Sequence, residues 1–192
     1  DLDNGVLTLT LNRPEARNAM SGAMTIALAD QLADAELNPA VKVIVLTGAG
    51  KGFCAGGDVK GMAAGGKGTA TDNTLDGRIH QQRTNQRNTA GKLYSMPKPT
   101  IAALPGAAAG AGLSLALACD LRIMVDNAIM TTAFARVGFS GDYGGTFFMS
   151  QLIGTAKARQ LYFLSERVSA EEALALGLTN WVCESNQLTA KT

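Results

Sequence analysis

Residues 101–119 read IAALPGAAAGAGLSLALAC, an apolar run close to the length of a bilayer span. Pro105, Gly106, Gly110 and Gly112 interrupt it, so it divides into a strand, a turn and a small-residue helix that must be buried in a core. A related succession occurs earlier, where KVIVLTG (42–48), a continuous apolar strand of the kind covered on both faces, leads to the glycine turn CAGGD (54–58). A chain built from such units is confined to an α/β layout of repeated strand, turn and helix.

The rest of the chain follows the same grammar. VLTLTL (6–11) alternates as a half-buried strand, and NRPEARN (12–18) is a polar turn after it. Ser21 is placed to cap a helix running to about Leu37, with Met24, Leu28 and Leu32 on its buried face. Residues 63–77 carry no period and read as a mobile loop, whereas 78–95 reads as an amphipathic helix with Ile79 and Leu93 inward, stopped by MPKP (96–99). DLRIMV (120–125) is a strand and AIMTTAF (128–134) is extended. Helices are expected at about 144–153, 156–163 and 169–177, the last opened by a Ser169/Glu172 capping box, and TNWVCE (179–184) is a closing strand.

The 192 residues suit one domain, 1–192, and a formal net charge of +1 leaves no basic excess for nucleic acid. Cys54, Cys119 and Cys183 are odd in number and far apart, which fits a reducing, cytoplasmic setting better than a disulfide framework. With a single histidine, His80, and no zinc or calcium motif, no metal is expected. The N-terminus shows no signal-peptide pattern, and the one long apolar run is core, so no membrane partner is expected either.

The two glycine turns share a logic. Each can leave a backbone N–H pointing into open space, aided by the partial positive charge of a helix N-terminus. Two such groups aimed at one carbonyl oxygen make an oxyanion hole; the plain alternative is that small residues let helix approach sheet. GMAAGGKG (61–68) has Walker A spacing but Gly68 where a hydroxyl must meet magnesium, and it follows a loop.

GVLTLTLNRPEARNAMS (5–21), GKGFCAGGDVKGM (50–62), MPKPTIAALPGAAAGAGLSLALACDLRI (96–123) and VGFSGDYGGTFFMSQLIG (137–154), in this order, resemble the enoyl-CoA hydratase/isomerase (crotonase) superfamily over nearly the whole chain. The resemblance implies a spiral of ββα units with a coenzyme A thioester bound between the glycine turns. It implies oxyanion donors at the Gly57 and Ala111 N–H groups, and coenzyme contacts from Arg17, Asn18 and Ala19 and from Ala55, Gly56, Asp58 and Val59. Arg17 is also chemically suited to a phosphate, with a solvated turn charge as the alternative. Coenzyme A is then part of the substrate and no separate cofactor is needed. The resemblance also implies assembly into trimers or pairs of trimers through a C-terminal helical module that is not among these residues.

Hydratases of this family use two glutamates, and the matching positions here are Ser114 and Phe134, neither able to replace a carboxylate. Asp142, in FSGDYGGT (139–146), falls where the resemblance places the working aspartate of certain isomerases and of a dehalogenase. Desolvation beside Phe134, Phe139 and Tyr143 would raise its pKa and make it a single base for moving a double bond; the alternative is a helix cap. Asp58 reads as shaping its turn. Hydration and a thioester-binding protein without catalysis remain as other readings.

Overall fold

The computed structural model describes residues 1–63 and 74–192. Most of the expected 63–77 loop, and the end of the Walker-like segment, lie outside the described residues; the end of that loop is already helical from Leu75.

Among the described residues ten strands form two sheets. They are β1 (Leu2–Asp3), β2 (Val6–Leu11), β3 (Val43–Gly48), β4 (Gly52–Cys54), β5 (Thr100–Leu104), β6 (Ala107–Ala109), β7 (Leu121–Val125), β8 (Ile129–Thr131), β9 (Val168–Ser169) and β10 (Trp181–Cys183). The larger sheet has the order β1-β2-β3-β5-β7-β10 and the smaller one β4-β6-β8-β9. Successive pairs β3/β4, β5/β6 and β7/β8 each place one strand in either sheet before the chain turns into helix, which is the spiral of ββα units. Parallel pairing sets Leu9 beside Leu46, Leu46 beside Ala102 and Ala103 beside Ile123. Strands covered on both faces need such continuous apolar runs.

The short strands β4 and β6 were not expected. Each has three residues, GFC and AAA, too few for alternation to be read.

The Ala111–Ala118 helix is buried at all eight residues. It lies so close to β4 that a Cβ on Gly112 would stand 2.6 Å from Cys54 Cβ, which is why glycine is required there. At the helix's other end the buried Arg122 donates to Cys119 O at 2.6 Å and to Leu178 O at 2.9 Å. A cation at a helix C-terminus satisfies carbonyls that have no partner within the helix.

Ser21 caps the Gly22–Leu37 helix by accepting from Met24 N, and the Ser169/Glu172 capping box opens the Ala170–Leu176 helix. The 78–95 segment differs from expectation. The Leu75–Gln86 helix has no buried residue and Ile79 is 41% exposed; only the following π turn, Arg87–Gly91, and Leu93 reach the core. Its sequence offers too few apolar positions to make a buried stripe.

Candidate active site

The loop after β2 is locked by Asn18. Its side chain is fully buried: Oδ1 accepts from Arg13 N at 2.9 Å, and Nδ2 donates to Ala49 O at 3.0 Å and to Gly52 O at 2.8 Å. Arg17 and Asn18 both take left-handed backbone angles, φ 52° and 55°, which turn the chain so that Arg17 is exposed and Ala19 is buried. Met20 then pairs with the first glycine turn, its N–H donating to Gly56 O at 2.7 Å and its carbonyl accepting from Asp58 N at 3.2 Å. This bridge uses the amides of Met20 and Asp58. Among the described residues the Gly57 amide has no hydrogen-bond acceptor.

Asp58 shapes this turn. Oδ1 accepts from Gly61 N at 3.0 Å and Oδ2 from Arg13 Nη1 at 3.1 Å, and these bonds hold its carboxyl below the usual range. Val59 follows at the start of the Val59–Ala63 helix and is 49% exposed.

The two glycine turns touch. Gly56 has φ +97°, and a Cβ there would lie 2.9 Å from Ala109 O and 3.4 Å from Ala111 N. Ala111 is the first residue of its helix, so its N–H has no acceptor within that helix. The amides of Ala111 and of Gly57, the residue after Gly56, therefore lie close to this contact, and donors of this kind stabilise negative charge on an oxygen that both reach.

Asp142 is tied to the second turn through Ser114. The Ser114 hydroxyl, 1% exposed, donates to Asp142 O at 3.0 Å and lies 3.3 Å from Gly110 O. The following helix, Gly145–Ile153, takes Gly144 as its N-cap with no side-chain capping bond, so Asp142 is not its cap. Instead, Asp142 Oδ1 is buried without a hydrogen-bond partner among the described residues, and desolvation pushes the carboxyl up to about 6. Of the three rings expected to desolvate it, Phe134 and Tyr143 are buried, but Phe139 is 58% exposed, because the chain from Ala135 to Ser140 runs over the surface.

Tyr162, on the Thr155–Leu164 helix, was not singled out in the sequence. Its ring, half-buried, stacks on Phe134 with centroids 6.0 Å apart and planes 5° from parallel, and desolvation, with the Asp142 charge added, pushes its phenol up in pKa. An aromatic on an amphipathic helix carries no signal that separates such a placement from ordinary packing.

Beside the first turn lies a groove of about 460 Å³ lined by Arg17, Lys51, Ala55, Ala109, Arg136 and Arg167 among others. Its charged residues are all cations. Cys54, next to the glycine turn, is fully buried and its thiol is pushed up to about 11. Among the described residues no group of three or more His, Cys, Asp or Glu side chains is placed to hold a metal ion, and no helix is long and apolar enough to cross a membrane.

The sequence profile described as "Enoyl-CoA hydratase/isomerase" matches residues 1–192. A 1,2-epoxyphenylacetyl-CoA isomerase of Escherichia coli is 36% identical over 191 residues, covering 100% of this chain and 71% of that protein. A probable enoyl-CoA hydratase of Rhodobacter capsulatus is 37% identical over 178 residues, covering 93% of this chain and 65% of that protein. In three dimensions, the crystal structure of a putative enoyl-CoA hydratase from Streptomyces coelicolor superposes with a TM-score of 0.90 at 34% identity, covering 100% of this chain and 68% of that one. That of an enoyl-CoA hydratase from a Polaromonas species gives 0.88 at 35%, covering 100% and 72%. The chain thus spans from 65% to 72% of the length of these relatives.

Proposed function

Because the chain belongs to the enoyl-CoA hydratase/isomerase family, we propose that it binds an acyl-CoA thioester at the paired glycine turns and moves a carbon–carbon double bond with Asp142 as its single base. The thioester oxygen would accept from the Gly57 and Ala111 N–H groups. Those donors strengthen their hold as the enolate forms, which makes the proton beside the carbonyl easier to remove. Asp142 takes that proton and returns it at another carbon, so one carboxyl serves as base and then as acid.

The observation that carries this reading is the buried, unpartnered Oδ1 of Asp142 on a loop fixed to the Ala111 helix by Ser114. A carboxyl at about 6 is mostly ionised at neutral pH yet a stronger base than an ordinary one. The cationic groove supports the other half of the substrate, since Arg17, Lys51, Arg136 and Arg167 suit the phosphates of coenzyme A. Ala55 lies in the same groove and joins it to the glycine turns.

Hydration is the second reading, favoured by the relatives named enoyl-CoA hydratase. Against it, the two positions that resemble the hydratase glutamates are committed otherwise: the Ser114 hydroxyl donates to a main-chain carbonyl and Phe134 is stacked on Tyr162. Incubation with crotonyl-CoA and with a β,γ-unsaturated thioester separates the two. We expect isomerisation of the latter, lost in Asp142→Asn by a factor of ~10² to 10⁴ with thioester binding retained. Hydration of crotonyl-CoA at a rate indifferent to Asp142→Asn would overturn the assignment.

A further inference from the structure

We propose that Tyr162 is a positioning residue for Asp142: its side chain spans the loop from Gly141 to Gly145 and closes the carboxyl off from the open groove on its other side. The meaning of this role for catalysis rests on Asp142 being the base; the shielding is a property of the fold.

The placement follows from contacts at both ends of the loop. A Cβ on Gly141 would stand 2.9 Å from Tyr162 Cε1, so the ring lies flush against the main chain just before Asp142. A Cβ on Gly145 would collide with both the Tyr162 phenol oxygen and Ser114 Oγ, so the polar end of the same side chain meets the main chain just after the Ser114 anchor. Asp142 sits between these two points. Phe134 stacks on the ring at 6.0 Å and itself comes within 3.7 Å of a Cβ on Gly110, which fixes the ring from the side of the second glycine turn.

On the far side is a groove of about 540 Å³ lined by Phe139, Thr146, Arg159, Tyr162 and Phe163 among others. Phe139 and Phe163 are 58% and 75% exposed, so neither covers the loop as Tyr162 does. The groups around Asp142 leave few other causes for its behaviour. The Ala111–Ala118 and Gly145–Ile153 helices contribute no charged residue. The Thr155–Leu164 helix brings Lys157 and Arg159 with Tyr162, and the Leu75–Gln86 helix, which carries Asp76, Arg78, His80 and Arg83, touches the loop through Gln86 Oε1 on Tyr143 N at 3.1 Å. Among these groups the Tyr143 and Tyr162 phenols are the ones that feel the Asp142 charge. Burial is what lifts the carboxyl.

The test reads the carboxyl directly. Protein labelled with ¹³C at the aspartate carboxyl is titrated by NMR, the Asp142 signal being identified by its loss in Asp142→Asn. Wild type and Tyr162→Phe are expected to share a midpoint of about 6. Tyr162→Ala is expected to fall by about one pH unit or more toward the ordinary ~3.9, and the acid limb of the rate profile is expected to move with it. An alanine variant that keeps the wild-type midpoint overturns the proposal. So does a phenylalanine variant that falls as far as alanine, because the phenol oxygen and not the ring would then be responsible. If the alanine variant does not fold, Tyr162→Val is judged by the same shift. The two readings fail separately: an Asp142→Asn protein that keeps its rate overturns the base, whereas an unmoved midpoint without the ring overturns the shield.

Discussion

The Ser114 hydroxyl joins Asp142 to the helix that begins at Ala111, donating to the Asp142 carbonyl at 3.0 Å from one helical turn along. The same side chain occupies the position that resembles a hydratase glutamate, so where such a glutamate would stand a hydroxyl holds the loop that carries the candidate base. Ser114→Ala is expected to lower kcat about fivefold while leaving KM within about twofold, as the loss of one buried bond of ~1 kcal/mol would do. Steady-state kinetics on a β,γ-unsaturated thioester checks it; a change in KM alone would contradict an anchoring role.

The pH dependence of activity follows from the Asp142 carboxyl at about 6. As a base it must be ionised, so kcat/KM is expected to rise with pH, reach half its limit near 6 and stay level above. A rate profile whose acid limb lies near ~4 would mean that the carboxyl is solvated during turnover.

Stability has the opposite dependence on the same group. Its pKa is raised on folding, so between the unfolded value of ~3.9 and about 6 the folded state holds a proton that the unfolded state has released. Stability therefore falls as pH rises through that window, and the cost is fully present above it. Removing the charge relieves it: Asp142→Asn is expected to stabilise the fold at pH 7 by on the order of 2 kcal/mol, and by much less at pH 4. Urea denaturation at the two pH values measures the difference.

Gly56 holds the two glycine turns together at φ +97°, with Ala109 O only 2.9 Å from where a Cβ would stand. Gly56→Ala strains that backbone and pushes the turns apart. It is expected to destabilise by ~1 to 3 kcal/mol and to lower kcat by about 10² or more, since misplacing one amide donor has that effect. Thermal unfolding and single-substrate kinetics separate the two contributions.

Cys54 tests how closed the site is. Its thiol is fully buried and pushed up to about 11, so very little thiolate exists at neutral pH. Iodoacetamide at pH 7.5 is expected to leave Cys54 unmodified in the native protein and to label it after denaturation, as peptide mass mapping would show. Rapid native labelling would mean that the turn opens.

Much of the architecture can be read along the chain because it depends on local rules. The alternation of VLTLTL, the Ser21 cap and the Ser169/Glu172 box each report on neighbours within four residues, and each appears where the pattern placed it. The misses are of another kind. The strands β4 and β6 owe their form to pairing with each other, with Gly52 beside Ala107 and Cys54 beside Ala108, rather than to any period of their own. Ile79 and Phe139 are apolar, which argues for an inward place, but among the described residues no packed layer covers them.

The order of residues alone determined the α/β class and the glycine turns, since periodicity and turn chemistry are properties of the string; the acid worth watching came from the resemblance of its segment to a family pattern, which the string also carries. Only the three-dimensional packing decided that Asp142 lacks a partner for Oδ1, that Ser114 fastens its loop and that Tyr162 covers it. Desolvation is set by whatever crosses from distant parts of the chain, and neither spacing nor composition records which side chain that is.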